Sequence, residues 1–304
     1  MDTSGDFTQQ IMDFRTSYVR AVARASVDLA FREQLTNPKN DPLKILEEAF
    51  GYKCPWDLTV VLHDDPQRAP RLNPAQGRIM TLPYWGETIT VFIPRKPAGD
   101  ARTQLDALAA YYHENPWFPR VKPTAQSNSR GEIPQYVSDP PPIHDAKWAS
   151  VKRGRYNMGD NVDDFVSFAA AMFNALALAW DNELMWNDLT GYNGGPDQPR
   201  KRTITLLNEW LGYNYPWDLD LFIQEDKKAR YDASKGKWVD TTPPVLMLTI
   251  PWMTGADAQV GDDKEKLAKD RMQEVERNKA NPGVAIMGVA LYNSDGPGYP
   301  FTCG

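Results

Sequence analysis

Cysteine and histidine are scarce in this 304-residue chain: Cys54 and Cys303 are its only cysteines, and His63, His113 and His144 its only histidines. Two cysteines cannot build a disulfide framework. The histidines fall in no H-E-x-x-H or comparable ligand spacing, so no metal is expected, and no other cofactor has a recognisable motif. A G-x-S-x-G elbow, a P-loop and a G-x-G-x-x-G turn opening a helix are all missing. No nucleophile, base and orienting group come together, so no catalytic residue is nominated and the chain reads as a non-enzyme. A Lys/Arg block is missing too. With a formal net charge of −6 and a pI of ≈ 5.2, the chain has no electrostatic footprint for nucleic acid.

No stretch of about 18 uninterrupted apolar residues occurs, so no membrane-spanning helix is expected. The opening Met1-Asp2-Thr3-Ser4-Gly5-Asp6 is acidic and has no apolar centre, unlike a secretory signal. The expectation is a cytoplasmic chain; export of a processed product or an assembly would use a different signal.

What is present argues for a folded protein. A hydrophobic content of 41% with 11% aromatics is too apolar for disorder, and 304 residues can hold two domains with a core each. An internal repeat organises the chain. Gly51-Tyr52-Lys53-Cys54-Pro55-Trp56-Asp57-Leu58 returns as Gly212-Tyr213-Asn214-Tyr215-Pro216-Trp217-Asp218-Leu219, identical at six of eight positions. Gly51, Pro55, Trp56, Asp57 and their counterparts Gly212, Pro216, Trp217, Asp218 form the repeat signature.

The flanks agree. Ile11, Phe14, Tyr18, Val22, Ala25 and Leu29 step by three or four along one helical face, as do Phe165, Phe168, Met172, Leu176, Trp180 and Leu184. Each long helix ends alike, in Val27-Asp28 to Gln34-Leu35-Thr36 and in Trp180-Asp181 to Asp188-Leu189-Thr190. A short helix follows, at Pro42 to Phe50 and at about Thr203 to Leu211, and the glycines at 51 and 212 suit a C-cap of positive φ. Leu58, Val60, Leu62 and Leu219, Leu221, Ile223 alternate as strands. A second strand is expected at Ile79 to Pro83, matched with Met247 to Pro251. That match gives the second copy a longer loop, about Asp226 to Thr242, and leaves Thr88 to Ile93 as an extra run in the first. A further helix closes each copy, Ala101 to Asn115 and Asp262 to Asn281.

The expected fold class is α+β, two tandem copies of a unit with a long helix, a short helix and a small sheet. The expected segments are a first repeat over 1–118, a Pro-rich linker over 119–147, a second repeat over 148–282 and a C-terminal tail over 283–304. His63-Asp64-Asp65 reads as a solvated turn, Asp57 and Asp218 as structural acids at a strand start, and Cys54 as a half-buried small hydrophobe. Cys303 differs. It lies in a Gly/Pro-rich stretch where Asp295 is the only charge after Asn281, and an exposed thiol there is a liability unless used.

The long helix, the Trp180-Asp181 step, the short helix ending in Gly, the Pro after it, the Val/Leu strand and the strand ending in Leu-Pro together resemble the nitrile-hydratase-leader type. These are long leaders of bacterial peptide-natural-product precursors, similar to the nitrile hydratase α-subunit. The resemblance covers roughly 11–98 and 162–253. The ending Tyr299-Pro300-Phe301-Thr302-Cys303-Gly304 is similar to tails of a thiazole/oxazole-modified bacteriocin subfamily with such leaders. The C-x-x-C-S-C metal cluster of nitrile hydratase is not in this sequence, so neither metal nor hydratase activity is implied. What the resemblance implies is a substrate: folded repeats as a handle for cyclodehydratase-type maturation enzymes and a peptide exporter, with Cys303, then Thr302 and Ser294, as modification candidates. The alternative is a self-assembling structural protein, a homo-oligomer or filament using the tail as an interface. An enzyme with a site between the repeats is a third reading.

Overall fold

The structure, a computed structural model, describes residues 7–64, 71–73, 78–80, 88–114, 162–191, 203–215, 220–250 and 264–282. Its helices are α1 (Phe7–Ala25), α2 (Leu29–Thr36), α3 (Pro42–Phe50), α4 (Ala101–Glu114), α5 (Val162–Asp181), α6 (Glu183–Thr190), α7 (Thr203–Leu211) and α8 (Lys264–Ala280). Its strands are β1 (Thr59–His63), β2 (Arg71–Asn73), β3 (Arg78–Met80), β4 (Thr88–Ile93), β5 (Asp220–Glu225), β6 (Arg230–Asp232), β7 (Lys237–Val239) and β8 (Val245–Thr249). The fold is α+β and the repeat is a tandem duplication.

Each long helical run is two helices, not one. Phe14, Tyr18, Val22 and Ala25 bury one face of α1 completely, but the chain turns at Ser26. The Ser26 hydroxyl donates to the Ala23 carbonyl at 2.7 Å, and the Asp28 side chain accepts the Phe31 N–H at 3.0 Å, capping a new helix. Asn182 does the same for α6, accepting from Leu184 and Met185. The equivalence continues to the helix ends, where Thr36 donates to the Arg32 carbonyl and Thr190 to the Trp186 carbonyl. So Asn182, and not Asp181, is the counterpart of Asp28. The glycine expectation holds: Gly51 (φ 72) and Gly212 (φ 66) end α3 and α7 in the left-handed region. Each returns its N–H to a helix carbonyl, Glu47 and Asn208, at 2.8 Å.

The strands differ most from expectation. The main sheet runs β1-β8-β4-β5, so strands of the first repeat alternate with strands of the second. β1 pairs with β8 in parallel, Thr59 opposite Val245; β4 pairs with β5 in parallel, Thr88 opposite Asp220. At the centre β4 and β8 are antiparallel, with Thr88 opposite Met247, Ile89 opposite Leu246 and Thr90 opposite Val245. Exchanging 88 with 245, 89 with 246 and 90 with 247 leaves that register unchanged, and it exchanges β1 with β5. A local twofold therefore passes between Ile89 and Leu246.

This symmetry makes β4 the counterpart of β8, correcting the match of Ile79–Pro83 with Met247–Pro251. Arg78–Met80 instead forms an antiparallel hairpin with Arg71–Asn73. The supposed extra loop of the second copy holds the corresponding hairpin, β6 with β7. Both repeats are thus strand, hairpin, strand, and Ile93-Pro94 answers Ile250-Pro251. Short apolar runs ending in Pro look alike in sequence, and only the partner strand tells them apart.

The shared sheet explains why two separate cores do not form. One repeat supplies two strands to the main sheet, too few for independent stability. Interleaving makes four. One face buries Val60, Leu62, Ile89, Val91, Leu221, Ile223, Leu246 and Leu248 in a single core that takes in α1 and α5. The Tyr18 hydroxyl, from the first repeat, donates to the Thr249 carbonyl of the second at 2.6 Å.

Candidate functional site

The first copy of the repeat signature packs into the body of the protein. Trp56 is fully buried, its indole N–H donating to Gln10 Oε1 at 3.2 Å and its ring tilted against Phe14 with centroids 6.0 Å apart. Pro55, Asp57 and Cys54 are half-buried around it, and Cys54 Sγ lies 3.6 Å from the Trp56 carbonyl. Burial pushes the Tyr52 phenol well up from its ordinary value, so it stays neutral. In the second copy Gly212, Tyr213 and Tyr215 hold matching places, with Tyr215 edge-on to Phe168. Pro216, Trp217, Asp218 and the modification candidates Ser294, Thr302 and Cys303 lie outside the described residues.

Two helix-docking sites flank the sheet. At the end of β1, Arg32 is fully buried and its Nη2 donates to the Ile250 carbonyl at 2.6 Å and to Asp64 Oδ1 at 3.1 Å. Asp64 bridges onward to Arg271 of α8, Oδ2 to Nη1, at 3.7 Å. Glu274, buried one turn along α8, acts on Arg32 electrostatically. Burial lowers the Arg32 pKa from its ordinary value and Asp64 opposes that, so the guanidinium keeps its charge. His63-Asp64 is therefore no solvated turn. The His63 carbonyl accepts the Ile250 N–H at 2.9 Å, and Asp64 is the acid at the centre of a buried ionic cluster.

The symmetry-related site is built from aromatics. Trp186 stands where the first repeat has Arg32, with the Arg95 guanidinium 5.0 Å over its ring. Arg95 also grips Glu183 through both terminal nitrogens, at 2.9 and 3.2 Å. Trp238 of β7 donates to the Ala107 carbonyl of α4 at 2.7 Å, and its ring meets Tyr111 edge-on and Trp180 at a tilt. Trp180 donates to the Pro94 carbonyl at 3.0 Å and Tyr111 to the Phe92 carbonyl at 2.8 Å.

Chemically, both sites hold helices in place. The Arg32 guanidinium donates to the Asp64 carboxylate and to the Ile250 carbonyl. Among the described residues no group of three or more His, Cys, Asp or Glu could hold a metal ion. No helix among them is long and apolar enough to cross a membrane. Sequence reasoning missed Arg32. The signal was there: an Arg occupies a helical position where the other repeat has a Trp.

A family model described as "Ribosomal natural product, two-chain TOMM family" matches residues 9–119 and, a second time, residues 163–268. The chain belongs to this family. The two matches bracket the two repeats, each starting in the first long helix and reaching the closing helix. As a TOMM-family member the chain is a ribosomally made natural-product precursor, built as a tandem duplication. No curated protein and no solved structure matches it.

Proposed function

We propose that the interleaved repeats are the recruiting handle of the precursor, and that cyclodehydratase-type maturation enzymes bind them to reach residues 283–304. The observation carrying this reading is the double family match, which covers both repeats and leaves the tail outside it. A rigid handle and a separate substrate segment is the division of labour a modified peptide needs. The chain contributes substrate atoms and no catalytic group.

The proposed chemistry starts at Cys303, because a thiol ionises far more readily than the hydroxyls of Thr302 and Ser294. Its sulfur attacks the carbonyl carbon between Thr302 and Cys303 and its proton is lost to solvent. The partner enzyme phosphorylates the carbonyl oxygen with ATP, that oxygen leaves as phosphate, and the Cys303 amide nitrogen gives up its proton to solvent as the C=N bond of the ring forms. The product is a thiazoline, one water lighter. A partner oxidase that accepts two hydrogens converts it to a thiazole. A peptide exporter would take the finished product.

Intact-mass measurement of the chain from its native host, or after co-expression with the maturation enzymes, tests this. A mass lower by one water, or by one water and two hydrogens, mapping to Thr302-Cys303 is the expected result. An unmodified tail in the presence of active enzymes overturns it.

A further inference from the structure

We infer that α8 is a releasable arm, docked through the buried ionic cluster and able to leave the body without unfolding the shared sheet. The argument is the difference between two helices that the duplication made equivalent. α4 closes the first repeat and α8 the second, yet they are fastened by different chemistry.

α4 is part of the main core. Ala107 and Tyr111 are buried in it, and Trp238, Trp180 and Tyr231 close around them. Peeling α4 away would expose several aromatic side chains at once. Among the side chains of α8 whose burial is described, Glu274, Val275 and Asn278 are buried and Arg271 is half-buried, a stripe spaced by three, one and three residues. Three of the four are polar. Val275 packs with Leu29 in a small cluster of its own, apart from the main core. Asn278 donates to the Ser26 carbonyl at 2.8 Å, Arg271 pairs with Asp64, and Glu274 faces the field of Arg32.

Such a face makes a specific lock with little hydrophobic adhesion. Docked, Arg271 and Glu274 act on Asp64 and Arg32, charges of opposite sign on the body; undocked, water solvates them, and Val275 is the one apolar side chain of α8 seen buried among those whose burial is described. The released helix stays soluble, since its outward face is already rich in Lys, Glu and Arg. Arg32 and Asp64 remain paired when α8 leaves, because their hydrogen bond and the Ile250 contact do not involve it. An element held by few apolar contacts opens at a lower free energy than the core does. Its use rests on the proposed function: α8 immediately precedes residues 283–304 in the sequence, so its release would lengthen the reach of that segment to an enzyme.

Hydrogen–deuterium exchange of the full-length protein tests the release without any maturation enzyme, so its outcome is independent of whether the tail is modified. The amides of α8 should exchange at least about a hundredfold faster than those of β4 and β8, and at least about tenfold faster than those of α4. Glu274→Gln should speed α8 by a further tenfold or so while β4 and β8 keep their protection. Equal protection of α8 and β8 in the wild type overturns the inference, since the helix would then leave only on global unfolding. So does a folded Glu274→Gln variant with unchanged α8 exchange. Should that variant not fold, the wild-type comparison decides alone.

Discussion

Ile89 and Leu246 face each other across the antiparallel seam of β4 and β8, and the local twofold relating the two repeats passes between them. One residue comes from each repeat and both are fully buried. The seam joins the halves of the chain through backbone pairing, and every strand of the main sheet has a neighbour from the other repeat.

Cutting the chain between the repeats should leave it in one piece. Separating the halves means breaking the β1–β8, β8–β4 and β4–β5 pairings together and exposing the common core. Limited proteolysis within 119–147 should yield two fragments that co-elute at the size of the intact protein and part only in denaturant. Fragments that separate in native buffer would show that the interleaved sheet is wrong.

A cavity at the seam should weaken both repeats equally. Leu246→Ala should cost about 2–5 kcal/mol, the range for a buried Leu truncated in a packed core. Urea unfolding followed by tryptophan fluorescence and by circular dichroism should remain one coincident transition, moved to lower urea. Two resolved transitions, one unchanged, would mean that the repeats fold independently.

Arg32→Ala should destabilise the protein by about 3–5 kcal/mol, because it strands the largely covered Asp64 carboxylate with its closest partner removed. Arg32→Met fills more of the volume, yet strands the same charge. The double variant Arg32→Met, Asp64→Leu removes both charges and should recover much of the loss. Denaturation midpoints of the wild type, Arg32→Met, Asp64→Leu and the double variant form the cycle that checks this.

The β6–β7 hairpin should respond to acid through Asp232. Hydrogen bonds from the Ser234 hydroxyl, then from Lys235, lower its pKa to about 2 from the ordinary 3.8. A depressed folded-state pKa stabilises the fold above the unfolded value, and that stabilisation is lost as pH falls from about 4 to about 2. NMR titration should give Asp232 a midpoint near the lower figure, and Ser234→Ala should raise it. A titration midpoint in the ordinary carboxylate range in the wild type would rule out the turn geometry.

The amino-acid sequence by itself determined the duplication, the α+β class, the helix-capping glycines and the lack of a catalytic or metal-binding motif. The duplication shows on comparing the sequence with itself, and the other features are local: a helix face, a Gly at a C-cap and a ligand spacing are each written within a dozen residues. Its resemblance to leader sequences also pointed towards the family. What only the tertiary structure decided is which strand lies beside which. Thr88–Ile93 and Val245–Thr249 are ordinary β runs until each is given the other as a neighbour, and the sequence match of Ile79–Pro83 led away from that pairing. The buried ionic cluster was hidden for the same reason. Arg32, Asp64, Arg271 and Glu274 lie on α2, at the end of β1 and on α8, and each reads as an ordinary surface charge in its own segment. Folding the second repeat back onto the first removes water from around them, and burial then makes their mutual pairing a requirement of the fold.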